Sequence, residues 1–301
     1  MHSRYRNALG FLSLASLFGI SFVAIKTGLG ALPPLFFAGL RFDVAAPLLL
    51  GYAAIRHDDW LPGNRADYAG IAAGAVALIA LNNGLLFLGQ GYTTPAAASV
   101  MYGLNPILAP VIAVPVLGQR IGLRDAAGVG LGLVGVIVIV QPGPETFAGG
   151  AALGQLYVLC AAVAIAAGSV LLRRIGASMN SVALTGWSMA GGALLLHLAS
   201  VAVGEHPAGP VTGEVVAAVL VLGLPSTALA YPIYFALIGK VGPVRTNLVA
   251  YVVPIVAAIT GYLVLQQPIT ATTVIGFFVV LAGVALLERD VVREEVARLR
   301  A

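Results

Sequence analysis

Apolar residues run along this chain in long blocks, and polar residues cluster in short gaps between them. Blocks of about 17–25 residues are the length that carries a helix across the hydrocarbon core of a bilayer. Ten such blocks can be read, near 8–28, 33–55, 67–89, 95–117, 123–140, 152–174, 181–203, 214–238, 243–265 and 270–287. Turn-forming stretches separate several of them: Arg56–Asn64 (RHDDWLPGN), Gln141–Glu145 (QPGPE) and Gly204–Pro210 (GEHPAGP). The blocks are continuous and do not alternate in polarity, so they predict helices and not the strands of a barrel. The expected fold is an all-α membrane protein.

Composition strengthens this reading. Of 301 residues, 59% are hydrophobic and only 9% charged, against about 25% charged in an ordinary soluble protein. The pI near 9.4 does not point to nucleic acid, because the basic residues form no stripe. Arg4, Arg6, Arg56, Arg65, Arg120, Arg124, Arg173, Arg174, Lys240, Arg245, Arg289, Arg293, Arg298 and Arg300 lie at the N-terminus, in the even-numbered connections and in the tail. The odd-numbered connections hold none. The positive-inside rule then places both termini in the cytoplasm of a multi-pass protein of the cell inner membrane. Arg4 and Arg6 ahead of an apolar run also fit a signal peptide, but an internal repeat argues that the first span is kept.

The repeat emerges when the chain is shifted by 148 residues against itself. Asn105–Ile121 (NPILAPVIAVPVLGQRI) then falls on Val253–Ile269 (VPIVAAITGYLVLQQPI), matching Pro106 with Pro254 and Gln119 with Gln267. Gly128 and Gly135 fall on Gly276 and Gly283, and Ser21–Gly28 falls on Ser169–Gly176. Two five-helix halves follow, 1–145 and 146–287, with a cytoplasmic tail at 288–301. Five is odd, so the second half enters the membrane inverted. Inverted halves around a shared cavity are a transporter construction. Pro106 and Pro254 read as hinges in the walls of that cavity, since broken backbone at membrane depth is tolerated where it lines one. A kink that only improves packing is the other reading.

Together these residues resemble the drug/metabolite transporter superfamily, and its ten-helix EamA-type carriers above all. The resemblance rests on the Ser21-x4-Lys26 pattern, Arg41 in span 2, the Asn105–Pro106 pair and the Leu117-Gly118-Gln119 run in span 4. It implies a secondary carrier of small metabolites, with helices 1–4 and 6–9 around a central cavity and 5 and 10 peripheral. Bacterial aromatic amino acid exporters are similar. Members often carry Glu where this chain has Gln119 and Gln267, so the resemblance supports no carboxylate coupling role at those positions.

Polar residues inside spans are expensive and point to function or interhelical contact. Arg41 lies roughly 12 Å into span 2 at 1.5 Å per residue. It reads as either a snorkelling Arg or an anion site for a substrate carboxylate. Asp43, two residues on, faces another side of the helix; it reads as a coupling group or a hydrogen-bond acceptor. Lys26 reads as an interface anchor or a further charge site, and His197 as structural for want of a visible partner. Asn82 and Asn83 of span 3, Ser99 and Tyr102 of span 4, Tyr231 and Tyr234 of span 8, and Asn247 and Tyr251 of span 9 read as substrate-binding cavity lining.

Catalytic and metal chemistry is absent from the pattern. The single Cys160 excludes an internal disulfide. There is no phosphate-binding G-x-x-x-x-G-K-[ST] motif, no metal-ligand cluster and no G-x-S-x-G element. The expected protein is not an enzyme, needs no cofactor or metal, and meets a small-molecule substrate and lipid. The glycine seams of spans 5 and 10 allow a monomer or a weak dimer. The expected activity is export of small metabolites, amino acids (aromatic or otherwise apolar) foremost, by alternating access with weak or no proton coupling. An intramembrane or lipid-modifying enzyme and a channel are the competing classes.

Overall fold

In the computed structural model, residues 2–118, 122–140, 150–206, 209–241, 246 and 249–287 are described. They are helical, in the order α1 (His2–Gly28), α2 (Pro34–Arg56), α3 (Arg65–Ala73), α4 (Asn82–Tyr92), α5 (Pro95–Tyr102), α6 (Asn105–Leu117), α7 (Leu123–Val140), α8 (Ala151–Ile175), α9 (Ser181–Ala202), α10 (Gly213–Gly223), α11 (Ala230–Val241), α12 (Val249–Leu265) and α13 (Ala271–Leu287). Among the described residues, seven helical stretches are long and apolar enough to cross a membrane. They are Leu9–Gly28, Pro34–Arg56, Arg65–Tyr92, Pro95–Leu117, Ala152–Ile175, Ser181–Ala202 and Gly213–Tyr234. Ala126–Ile139, Val249–Leu265 and Ala271–Leu286 are shorter apolar helices. Each falls within one of the apolar runs.

Among the described residues, two stretches are wider than an α-helix. Gly74–Leu81 links α3 to α4, and Leu224–Leu229 links α10 to α11, both with π-type turns. A π turn leaves backbone carbonyls offset from their usual partners, and such segments recur at functional sites. Here Asn82 and Asn83 satisfy the freed groups: the Asn82 amide donates to Leu78 O, and the Asn83 amide to Leu78 O and Ile79 O. In the other segment Thr227 donates its hydroxyl to Leu222 O at 2.7 Å.

The prolines of the fourth apolar run are absorbed by a break. α5 ends at Tyr102 and α6 begins at Asn105, with Pro106 in its first turn, where a missing backbone N–H costs nothing. Pro110 and Pro115 remain inside α6. Pro254, the repeat mate of Pro106, lies buried inside an unbroken α12. The two positions therefore differ in backbone setting.

Helices α2 and α9 pack side by side, as do α7 and α13, α4 and α8, and α1 and α12. Glycine allows the closest approaches. A Cβ at Gly135 would stand 2.9 Å from Gly276 O, and one at Gly283 would stand 2.7 Å from Gly128 O. The same holds where Gly89 meets Gly154 O at 2.6 Å. The glycine seam expected to serve packing is thus used within the chain, between α7 and α13.

Polar contacts tie the connections at both ends of the α2/α9 pair. At the Arg56 end, Asp67 accepts from Gly63 N, Asn64 Nδ2, Ser178 N and Met179 N. Beside it the Trp60 and Trp187 rings stack, and Trp187 Nε1 donates to Trp60 O at 3.0 Å. At the Pro34 end, Glu205 accepts the N–H groups of Leu35 and Phe36 at 3.0 and 2.9 Å. Those are free donors at the start of a helix, where a carboxylate also meets the positive end of the dipole.

Candidate functional site

Arg41 is the centre of the bundle's polar chemistry. It stands two turns into α2 and is only 7% exposed. Its Nε donates to Thr227 Oγ1 at 2.8 Å, and its Nη1 lies 3.4 Å from Asn83 Oδ1. One partner follows the first π segment and the other sits within the second. Because the Asn83 amide nitrogen is turned to its own helix carbonyls, its oxygen is left to face the guanidinium. The Tyr102 and Tyr231 hydroxyls lie close enough to Arg41 to interact with it electrostatically.

Asn82 completes the cluster. Its side chain adjoins the Tyr102 hydroxyl, and its Oδ1 is buried without a hydrogen-bond partner among the described residues. α1 supplies an aromatic wall: Phe22 meets Tyr102 edge to face at 6.1 Å, and Phe18 meets Tyr231 likewise at 6.3 Å. Tyr234 neighbours Tyr231. The group is shut off from outside, with Asn82, Asn83 and Thr227 at 3%, 6% and 0% exposure.

Of the residues singled out from the sequence, Arg41, Asn82, Asn83, Tyr102, Tyr231 and Tyr234 come together. Ser99 is buried one turn above Tyr102 and donates to Ala96 O of its own helix. Tyr251 is half-buried in α12 and packs against the core. Asn247 and Gln119 lie outside the described residues. Asp43 turns away from the cluster and accepts from, or shares a proton with, His197 at 2.7 Å. That gives His197 the partner its sequence context did not reveal. Lys26 caps the end of α4, donating to Gln90 O and Gly91 O at 2.8 and 3.0 Å. Its repeat mate Arg174 similarly donates to Val116 O near the end of α6.

Sequence reading missed Thr227. The signal was there in Leu224–Leu229 (LPSTAL), where a proline and two hydroxyls interrupt an apolar run. It also missed Gln90, which is fully buried with neither amide atom partnered among the described residues. The described residues contain no group of three or more His, Cys, Asp or Glu that could hold a metal ion. A small cleft between Thr94–Pro95–Ala96 and Ala257–Gly261–Gln267 has room for about one water molecule.

Known proteins similar to this chain include membrane transporters. The uncharacterized transporter YoaV of Bacillus subtilis is 25% identical over 277 residues, covering 92% of this chain and 94% of its own. The uncharacterized inner membrane transporter YedA of Escherichia coli is 27% identical over 263 residues, covering 86% of this chain and 84% of its own. One solved crystal structure shares the fold, with a TM-score of 0.66 at 20% identity, over 97% of this chain and 99% of that one. The model of the EamA-like transporter family matches twice, over residues 6–141 and again over 152–289. The protein is a multi-pass membrane protein, and by this double match it belongs to the EamA-like transporter family.

Proposed function

We propose that the protein is a ten-span secondary carrier of the cell inner membrane that exports small metabolites of amino-acid size, aromatic or otherwise apolar. It works by alternating access between two inverted five-helix halves, 1–145 and 146–287. Both termini and the tail 288–301 face the cytoplasm. The observation that carries this reading is the convergence on Arg41 of Asn83 from the first half and Thr227 from the second. A site shared between halves changes its exposure when the halves rock against each other, and that is the physical basis of alternating access.

Three features support the inverted halves. The family model matches once in each. π segments occur at corresponding places, Gly74–Leu81 and Leu224–Leu229. The Gly135–Gly276 approach has its reciprocal in Gly283–Gly128, as a two-fold exchange of matched residues requires. Weak or absent proton coupling is supported by the placement of Asp43 and His197, which bond each other at 2.7 Å and face away from the cluster. Amino acids are the substrate class the sequence suggests, and the buried amides and tyrosines suit an amphipathic solute of that size.

Uptake into proteoliposomes across a panel of labelled metabolites, with and without a pH gradient, tests the proposal. Saturable uptake, accelerated by solute on the far side and indifferent to the pH gradient, is the expected result. Flux without saturation or counterflow would establish a channel. Chemical turnover of a substrate in detergent would establish an enzyme.

A further inference from the structure

Arg41 brings a full positive charge to the middle of an apolar bundle, and among the described residues no carboxylate pairs with it. Asp43, the acid two positions away, is engaged elsewhere, with His197 at 2.7 Å. Residues two apart on a helix point about 200° apart, which keeps Asp43 from turning back. Asp67 is held by the backbone of Gly63, Ser178 and Met179, and Glu205 by that of Leu35 and Phe36. The groups that hydrogen-bond the guanidinium, Thr227 and Asn83, are neutral, and the Phe42 ring 5.2 Å from its central carbon carries no formal charge either. Thr227 and Asn83 engage two of the five N–H donors an arginine carries. A buried cation without an anion is costly in a low dielectric, and a bidentate carboxylate is the partner its planar fork fits best.

We infer that the solute seated at Arg41 is a net monoanion: a monocarboxylate with an aromatic or branched apolar body, a neutral hydrogen-bond donor and no free ammonium group. This rests on the carrier reading above and narrows its substrate class, replacing free amino acids by acids of the same size that carry no ammonium group. The charge balance decides between acid and zwitterion. A monoanion brings the closed site to neutrality. A zwitterionic amino acid leaves the excess positive charge in place and adds an ammonium, for which the cluster holds no carboxylate among the described residues.

The second half of the description comes from Asn82. Its Oδ1 is buried and unpartnered beside Tyr102, and a buried acceptor of this kind calls for a donor. A hydroxyl or an amide N–H next to the carboxylate supplies it without adding charge. The Phe18–Tyr231 and Phe22–Tyr102 pairs then offer ring faces and edges to the apolar body. Hydroxy acids and N-acylated amino acids with aromatic or branched side chains have all three parts.

The test is counterflow in proteoliposomes bearing the full-length protein, with labelled phenyllactate and labelled phenylalanine as the matched probes. N-acetylphenylalanine and phenylpropionate serve as competitors, and a potassium–valinomycin potential is imposed. Expected are phenyllactate exchange favoured over phenylalanine by about tenfold or more, the difference of one well-placed charge pair, and net phenyllactate influx slowed by an inside-negative potential. Phenyllactate should also raise the melting temperature of the wild-type protein in detergent but not that of Arg41→Gln, a comparison that still reads out where the variant is less stable. Phenylalanine exchange that is indifferent to potential and not competed by the acids overturns the monoanion while leaving the carrier intact. Failure of the acids alone, with some other panel solute exchanged, also overturns it. Failure of every solute in the wider panel overturns the carrier reading itself.

Discussion

His197 Nε2 lies 2.7 Å from Asp43 Oδ2, joining α9 to α2 on the side of α2 away from Arg41. The ring can reach that position only because Gly39 leaves room. A Cβ there would come within 2.6–2.9 Å of three atoms of the imidazole. Gly39→Ala should therefore lower stability by about 1–3 kcal/mol, the cost of overpacking. Gly51→Ala in the same helix, where a Cβ meets nothing within 4 Å, should be neutral or slightly stabilising. Thermal midpoints in detergent check the pair.

Asp43→Asn tests the coupling assignment. The asparagine keeps an acceptor for His197, and Asp43 is not part of the Arg41 cluster. Counterflow at the favoured substrate should persist with its pH profile unchanged. A strict proton requirement in the wild type, lost in Asp43→Asn, would overturn uncoupled transport.

Thr227 holds Arg41 by a single 2.8 Å contact. Thr227→Val keeps the shape and removes the acceptor. A hydrogen bond to a charged group contributes about 1.5–3 kcal/mol to stability, so the melting temperature should fall, and because the guanidinium loses the contact that orients it, apparent affinity for the solute should fall as well. A loss of fold with no effect on residual affinity would assign Thr227 to the scaffold instead.

Lys26 caps two carbonyls at the end of α4. Lys26→Met leaves both without that donor and should cost about 1–2 kcal/mol of stability. Lys26→Arg should recover part of it. If Lys26→Met melts like the wild type yet loses transport, the ammonium acts on the solute and not on the helix end.

The α7/α13 seam makes a third stability prediction. Gly135→Leu and Gly283→Leu each force backbone apart, since neighbouring main-chain atoms lie under 3 Å from the added Cβ. Both should fold poorly or lose several kcal/mol, beyond the usual overpacking range of about 1–3 kcal/mol. Gly130→Leu, whose Cβ position is open, should be tolerated. Yield and monodispersity on size exclusion read the difference.

Much of the architecture was legible from one sequence, and for a single reason. Lipid leaves a chain little choice but long apolar helices with internally satisfied backbones, so hydropathy alone locates the apolar helices. The 148-residue repeat is a reading of the sequence, carried by matched glycines and prolines that stand out against apolar side chains. Arg41, Asn82, Asn83, Tyr102, Tyr231 and Tyr234 stood out as costly polar groups, and those six do meet.

What stayed hidden was the rotation of each helix about its own axis. A helix that is apolar all round carries no stripe to say which face looks inward, so Asp43 could not be assigned to His197, 154 residues away, from spacing. Nor does hydropathy register a π turn, which shifts every following side chain around the helix. It is those wider turns, at Gly74–Leu81 and Leu224–Leu229, that place Asn83 and Thr227 on the two sides of one buried guanidinium. Polarity along the chain set what had to be hidden from lipid; packing between helices chose the partners.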